Sequence, residues 1–341
     1  MIQHTKRYLV ENRLRMFIHH SECLLQAPWA APAERAVWVW LPPDWQNHPQ
    51  PLPALWDLAA YTSSGAAHVA WKNFSENLPD RLERLYCTGA LPPVAVVMPD
   101  CFTRLGGNQY VNSPALGSWA DYLHQELVPF VESQLPIGGK RERRAVFGKS
   151  SGGYGALRLV MEAPEHWCAA AVHAGDCDFE LVYRPDFPKA AMTLARFDKD
   201  PHAFLDDFWQ RDSHGGDEIH TLMLLCLAAS YDPDPEHPER FRLPFDLHTL
   251  ELIPERWQAW LAHDPLHLVP AHVEALRNLR GLWIDVGRQD QYNIQYGSRK
   301  LHRLLKSLQV PHIYEEFEGT HSGIDYRLDH SLPYLAKLLH E

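Results

Sequence analysis

Short apolar runs recur along the chain, and this feature restricts the possible folds more than any other. Three of the runs are continuous instead of alternating with polar residues, which is typical of strands covered on both faces. Strands of this kind occur in parallel sheets that have helices on both sides. We therefore predict buried strands at residues 35–42, 52–58, 93–100, 144–148, 168–175, 281–287 and 312–319.

Helical patterns lie between these runs. The stretch SWADYLHQELVPFVESQLP, residues 118–136, has apolar residues at three- and four-residue spacing, and Ser118 stands at a suitable N-cap position. Further helices are predicted at residues 153–164, 298–310 and 331–341. Ser298 is the candidate cap of the second of these. The alternation of strand and helix predicts an α/β fold with a doubly wound, mostly parallel sheet.

The alternation breaks between residues 178 and 276, which are rich in proline and aromatic residues and contain no strand pattern. We interpret this stretch as a helical cap insertion within a single domain that spans residues 1–341. Trp209, Trp257 and Trp260 lie in it. They either line a cap over a ligand or form the core of the insertion, and core packing is the favoured interpretation.

Composition excludes several classes of protein. The net charge is −11 and the pI is about 6.0, which argues against a nucleic-acid partner. No apolar run is long enough for a membrane span, and the charged N-terminus does not resemble a secretory signal. The six cysteines form no CxxC pair, as expected for reduced thiols. These features predict a cytoplasmic protein without a membrane or nucleic-acid partner.

A glycine and serine cluster separates the run at 144–148 from the helix that follows. The residues Gly148-Lys149-Ser150-Ser151-Gly152 fit the pattern G-x-S-x-G. Between a strand and a helix, this pattern predicts a nucleophile elbow with Ser150 at its tip and the Ser151 N–H as an oxyanion donor. A plain turn is the alternative. Ser151 is a weaker candidate nucleophile because its own pattern would need glycine at position 149.

A serine hydroxyl needs a base, and the base needs an acid that orients it. In the expected chain order Ser, Asp, His, the acid follows a late strand. GLWIDVGRQD offers Asp285 inside the strand and Asp290 in the loop after it. We favour Asp290, because an aspartate within the strand would point into the packing or bond locally. His321 follows the last predicted strand and is the candidate base.

Two loops at the same edge of the sheet are candidates for the rest of the site. The loop after residues 52–58 offers the Ala59 N–H as the second oxyanion donor. Tyr61 is the alternative donor, or a substrate contact. In the loop after Asp100, Asn108, Gln109 and Tyr110 either contact substrate or buttress the loop. No histidine spacing is typical of a metal site and no phosphate-binding loop is present, so no cofactor is expected.

With these motifs, the chain resembles the putative-esterase family of α/β-hydrolases. That family includes S-formylglutathione hydrolases, feruloyl and acetyl-xylan esterases, enterochelin esterases and mycolyl acyltransferases. The resemblance covers roughly residues 35–180 and 278–341, and it rests on VVMPD, FGKSSGGYGAL, IDVGRQDQYN and GTHSG. The chain departs from the family pattern at Lys149, where many members have histidine, and at Leu58, where many have glycine.

The resemblance implies an α/β-hydrolase fold with Ser150 as nucleophile, Asp290 as acid, His321 as base and the Ser151 N–H in the oxyanion hole. The predicted activity is hydrolysis of a small-molecule carboxylic ester through an acyl-enzyme. An acyltransferase with the same triad is the first alternative, and a non-catalytic binding protein on the same fold is the second. A thioesterase or a peptidase for small peptides also stays open, and a homodimer is expected from the resemblance alone.

Overall fold

The structure is a computed structural model that describes residues 6–341. The strands of this part of the chain are β1 (Leu14–His20), β2 (Glu34–Trp40), β3 (Ala54–Leu58), β4 (Ala95–Pro99), β5 (Asn112–Ser113), β6 (Gly117–Ser118), β7 (Arg144–Lys149), β8 (Ala169–His173), β9 (Gly281–Gly287) and β10 (Ile313–Phe317). Every predicted strand is present. The fold prediction is therefore confirmed for the central sheet.

The described strands form one large sheet in the order β1-β2-β4-β3-β7-β8-β9-β10, with β5 and β6 as a separate antiparallel pair. Strands β4, β3, β7, β8, β9 and β10 run parallel to one another. Strand β2 pairs antiparallel with β4, and the edge strand β1 pairs antiparallel with β2. The carboxyl ends of the parallel strands meet at one edge, which is where open α/β sheets bind ligands.

The sequence did not predict the edge strand β1. Met16 and Ile18 on this strand are exposed, and Phe17 between them is only partly buried. Since β1 pairs with β2 on one side only, it needs no continuous apolar run. Its residues therefore look like a charged, irregular N-terminus in the sequence.

Helices flank the sheet. In the described residues they are α1 (Arg7–Val10), α2 (Gly65–Val69), α3 (Leu78–Cys87), α4 (Trp119–Asp121), α5 (Val128–Gln134), α6 (Ser151–Glu162), α7 (Phe179–Val182), α8 (Phe187–Ala195), α9 (Pro201–Trp209), α10 (Gly216–Tyr231), α11 (Pro254–Leu261), α12 (Pro265–Leu268), α13 (Val273–Arg277), α14 (Ile294–Ser307) and α15 (Leu328–His340). A π-helical segment, Tyr122–Leu127, joins α4 to α5.

Both predicted helix caps need correction. Helix α14 begins at Ile294, after Asn293 in the left-handed region, so Ser298 is a buried residue inside the helix and not its cap. Ser118 does precede α4, but its side chain makes no capping hydrogen bond. A serine before an apolar repeat is a common signal, and here backbone turns supply the start of α14 instead.

The segment between β8 and β9 is helical, as predicted, and it shares its core with the sheet. Buried side chains of α7 to α11 belong to the same apolar cluster as those of α6 and of β3. Trp257 and Trp260 are buried in that cluster, which is the core-packing alternative. Trp209 is partly exposed and donates a hydrogen bond from Nε1 to the Arg104 carbonyl, at 3.0 Å. Within residues 6–341, no helix has the length and apolar character that crossing a membrane requires.

Candidate active site

The turn around Ser150 has the strained geometry of an elbow. Strand β7 ends at Lys149 and helix α6 begins at Ser151, with Ser150 between them at φ 56° and ψ −125°. This backbone conformation is unfavourable for a residue with a side chain and persists only where the surroundings impose it. The Ser150 N–H is held by the His173 carbonyl at 2.9 Å. The predicted strand–turn–helix arrangement is therefore present, and it leaves Ser150 at the tip of the turn.

The two glycines of the motif permit this turn. A Cβ atom on Gly152 would lie 1.9 Å from the carbonyl oxygen of Leu58, and one on Gly148 would lie 2.5 Å from the Gly152 carbonyl. Real Cβ atoms do not approach backbone so closely. The elbow thus packs directly against the end of β3, because residues 148 and 152 have no side chain.

The structure brings Asp290 and His321 together. They lie in the loops after the paired parallel strands β9 and β10, and His321 Nδ1 is 2.7 Å from Asp290 Oδ2. Both side chains are buried. The backbone N–H of His321 also donates to Gln291 Oε1 at 3.0 Å. The Tyr292 ring stands edge-on to the imidazole, with 4.9 Å between the ring centroids. These contacts fix the ring and leave Nε2 without a hydrogen-bond partner in residues 6–341.

The Ser150 hydroxyl turns toward a residue that the sequence did not single out. Ser150 Oγ donates to Asp176 Oδ1 at 3.4 Å, and no hydrogen bond joins Ser150 to His321. Asp176 also accepts from Ser151 Oγ at 3.3 Å and from the Tyr183 hydroxyl at 2.8 Å. Burial raises the pKa of Asp176, and these hydrogen bonds and nearby His321 only partly oppose the increase. Asp176 follows β8 at the carboxyl edge of the sheet. Its position directly after a predicted strand was the sequence signal that could have marked it as a site residue.

Two backbone N–H groups beside Ser150 are free to stabilise an oxyanion. In the described part of the chain, neither the Ser151 N–H nor the Ala59 N–H has a hydrogen-bond acceptor. Ala59 directly follows β3, and the Tyr110 hydroxyl holds its carbonyl at 2.6 Å. Because Gly152 packs against the carbonyls of Leu58 and Ala59, the two N–H groups belong to adjoining segments. They are suitable oxyanion donors.

The three polar residues of the loop after β4 are buried and bonded to the protein. Asn108 donates to the Cys101 carbonyl at 2.7 Å, and Gln109 donates to Ser151 Oγ at 3.1 Å. Gln109 also accepts a bond from the Tyr231 hydroxyl at 3.3 Å. Together with Tyr110 they support the loop, which is the buttressing alternative. Their polar atoms already have hydrogen-bond partners within the protein. The hydroxyl of Tyr61, likewise, donates to the Leu105 carbonyl at 2.7 Å.

Asp285, the other candidate acid, belongs to a separate buried cluster. Its carboxylate accepts hydrogen bonds from His173 at 2.7 Å, and from Trp283 and Arg327 at 2.9 Å each. The second nitrogen of His173 lies 2.9 Å from Ser331 Oγ. This serine–histidine–aspartate set is sealed in the core, since Ser331 and Asp285 are fully buried. Asp285 bonds locally, as the sequence predicted for an aspartate within the strand.

We expect Asp285→Asn to destabilise the fold. Removing one partner of a buried ionic network leaves uncompensated charge and costs about 3–5 kcal/mol. Burial alone raises the pKa of Asp285, but His173, Trp283 and Arg327 outweigh it and hold the pKa below its ordinary value of 3.8. The stabilisation is therefore complete above about pH 4 and is lost as the pH falls further.

Urea unfolding of the wild type and of Asp285→Asn between pH 3 and pH 7 measures this effect. The difference in unfolding free energy should be constant at neutral pH and shrink below about pH 4. Asp198→Asn is a suitable control, because no ion pair engages this residue within residues 6–341. A difference that persists unchanged at pH 3 would contradict the assignment of the charge on Asp285.

Comparisons with known proteins place the chain in an esterase family. A family model described as "Putative esterase" matches residues 30–329. Esterase Rv1288 of Mycobacterium tuberculosis H37Rv is 31% identical over 100 residues, a match that covers 26% of this chain and 21% of that protein. The chain thus spans about a fifth of the length of the curated relatives that it matches.

Solved structures agree in fold. A ferulic acid esterase superposes with a TM-score of 0.61 at 16% sequence identity, and the match covers 95% of this chain and 98% of that one. The S-formylglutathione hydrolase FrmB from Staphylococcus aureus gives a TM-score of 0.57, also at 16% identity and with the same coverage. At this identity the likeness shows the fold, which is that of the α/β-hydrolases.

Proposed function

We propose that this chain, which belongs to the Putative esterase family, hydrolyses carboxylic esters through Ser150, His321 and Asp290. The observation that carries this proposal is the buried Asp290–His321 hydrogen bond at the sheet edge where the elbow presents Ser150. The free N–H groups of Ser151 and Ala59 lie on segments that pack together at the elbow. These are the parts that acyl transfer by a serine requires.

In the first step, Ser150 Oγ attacks the ester carbonyl carbon. For this step the hydroxyl turns from Asp176 to His321 Nε2, which takes its proton; hydrogen bonds of this kind are often open before substrate binds. Asp290 holds the imidazole by Nδ1 and stabilises the imidazolium that forms. The carbonyl oxygen becomes an oxyanion, which the N–H groups of Ser151 and Ala59 stabilise.

The tetrahedral intermediate then collapses. The bond between the carbonyl carbon and the alcohol oxygen breaks, and the imidazolium of His321 gives its proton to the departing oxygen. Water, deprotonated by His321, then attacks the acyl carbon on Ser150. The bond from that carbon to Ser150 Oγ breaks, Oγ takes the proton back from His321, and the carboxylic acid leaves. Asp176 accepts the Ser150 hydroxyl again in the free enzyme, so it serves as a resting partner for the nucleophile.

Trapping the acyl-enzyme tests this proposal. We expect a burst of p-nitrophenol from p-nitrophenyl acetate, butyrate and octanoate, and one acyl group per chain after an acid quench. Peptide mapping by mass spectrometry should locate that group on Ser150. An acyl group on another serine or on a cysteine, or turnover of well-folded enzyme with no acylated residue, would contradict the mechanism. Added alcohols that compete with water as acceptors would favour the acyltransferase alternative.

A further inference from the structure

A cavity of about 350 Å³ adjoins the elbow on the sheet face opposite α6. Its lining includes Phe147, Leu78 and Leu328, which belong to the apolar cluster of α3 and α15, whereas α6 packs in the other cluster. Lys149 and His173 pair in register on β7 and β8, and both line the cavity. The cavity therefore lies on the other side of the sheet from α6 and α7, which pack in the other cluster.

Three segments that carry the proposed catalytic groups contribute residues to the lining of this cavity. Gly148 and Lys149 directly precede Ser150, and Ala60 and Tyr61 directly follow Ala59. Ile324 and Asp325 come shortly after His321. An alcohol leaving Ser150 takes its proton from His321, so it must depart on the side of the histidine loop. The cavity is in the right place to hold that alcohol, and its volume is within the range of ligand sites, ~300–1,000 Å³.

Several charged residues line the cavity, and most of them are paired. The groups that remain unpaired carry more positive than negative charge. His68 is bonded to Asp57, and Arg81 forms ion pairs with Glu76 and Asp329. His173 is bonded to Asp285 and Ser331.

The remaining charged groups are two cations and one carboxylate. Lys149 is partly buried, and in residues 6–341 its ammonium has neither an ion pair nor a hydrogen bond; the same holds for exposed Lys72. Asp325 is exposed and beyond ion-pair distance from Lys149. A cation that is partly removed from water and unpaired is unfavourable, and an anionic ligand would relieve this.

Two further observations agree with this arrangement. Burial lowers the pKa of Lys149, while Asp325 and Asp290 oppose the change only in part, which is the behaviour of an ammonium short of a partner beside the site. The wall formed by Ala70 and Lys72 also carries Trp71, whose side chain is 67% exposed. Trp71 does not line the cavity itself, but its exposed ring lies between two lining residues and is available to a ring-containing alcohol.

We propose that this cavity receives the departing alcohol of the ester and selects alcohols that bear a negatively charged group, with Lys149 as the principal contact. The inference rests on the proposed function, since it assigns the leaving-group side of the same site. In the balanced step, the carbonyl carbon–oxygen bond breaks, the alcohol oxygen takes the proton of His321, and the acyl group stays on Ser150. Lys149 takes no part in bond breaking and holds the remote carboxylate or phosphate.

Three acetyl esters of similar phenols test this selection. 4-Acetoxybenzoate carries a carboxylate, 4-acetoxyphenyl phosphate carries a phosphate, and 4-acetoxybenzamide is the neutral reference. For the wild type, Lys149→Met and Lys149→Arg, kcat/KM is measured for each ester, and the ratio of anionic to neutral ester is compared. Intrinsic differences between the phenols cancel in this comparison. Lys306→Met is the matched control, since Lys306 is exposed, lies outside the cavity and changes the net charge equally.

We expect the ratio for at least one anion to fall about tenfold or more in Lys149→Met, the usual effect of losing a hydrogen bond to a charged group. Lys149→Arg and Lys306→Met should keep the wild-type ratio, and the ester with the larger change identifies the preferred anion. Equal ratios in the wild type and Lys149→Met, with all esters hydrolysed, would overturn this inference and leave the proposed function standing. Failure of folded wild type to hydrolyse any of the three would instead contradict the proposed function.

Discussion

Ser150→Ala is expected to lower kcat for p-nitrophenyl acetate by roughly 10⁴- to 10⁶-fold while the protein stays folded. Without Oγ there is no atom to form the acyl-enzyme, and only the N–H groups of Ser151 and Ala59 remain to assist attack by water. The measurement is steady-state hydrolysis with circular dichroism and thermal unfolding on the same samples. Removing Oγ also removes one weak hydrogen bond to Asp176, at 3.4 Å, so the free energy of unfolding should change little.

Ser151→Ala is the matched control for this variant. Its N–H remains, and only the side-chain bonds to Gln109 and Asp176 are lost, so turnover should stay within about tenfold of the wild type. If Ser151→Ala abolished turnover and Ser150→Ala preserved it, the nucleophile would be Ser151. If both variants kept wild-type turnover, the elbow would not be the site of chemistry.

Gly152→Ala is expected to destabilise the fold strongly and to lower activity as well. The new Cβ would lie 1.9 Å from the Leu58 carbonyl oxygen and 2.9 Å from that of Ala59, both of which are backbone atoms that cannot rotate away. Either α6 moves outward or the end of β3 shifts, and strain of this kind costs about 3 kcal/mol or more. Urea unfolding should show this loss. Hydrolysis should also fall, because Ala59 and Ser151 lose their mutual position.

Gly216→Ala separates this clash from the general effect of replacing glycine at a helix start. Gly216 is the first residue of α10, and a Cβ atom there would meet no atom within 4 Å. Its replacement should be neutral or slightly stabilising, since alanine has less freedom to lose on folding. Equal unfolding free energies for the two variants would show that the elbow does not pack against β3 as described.

The sequence was informative wherever one local rule determined the outcome. Continuous apolar runs predicted the parallel strands because both faces of such a strand must avoid water. The preference for Asp290 over Asp285 followed from their positions relative to β9. A side chain inside the strand packs against a neighbouring layer, and Asp285 does form its hydrogen bonds there. The choice of His321 among 21 histidines came from its place after the last strand.

The remaining features depend on contacts between segments distant in the sequence. Asp176 becomes a neighbour of Ser150 only when β8 lies beside β7, and nothing in HAGDC distinguishes it locally. The inward-facing Gln109 is determined by Tyr231 of α10, more than a hundred residues away. The cavity beside Lys149 arises from four separate stretches of chain, so its position and charge appear only in the folded protein.

The helices between β8 and β9 bury their aromatic residues in the same core as α6 and the sheet. Such an insertion is not an interchangeable module. Deleting it, or replacing it with the insertion of a relative, would expose the apolar surface of the sheet and of α6 that it now covers. Single replacements at exposed or partly exposed residues of the cavity lining, such as Lys72, Lys149 and Asp325, would leave that shared core intact, so they offer the easier route to a changed substrate range.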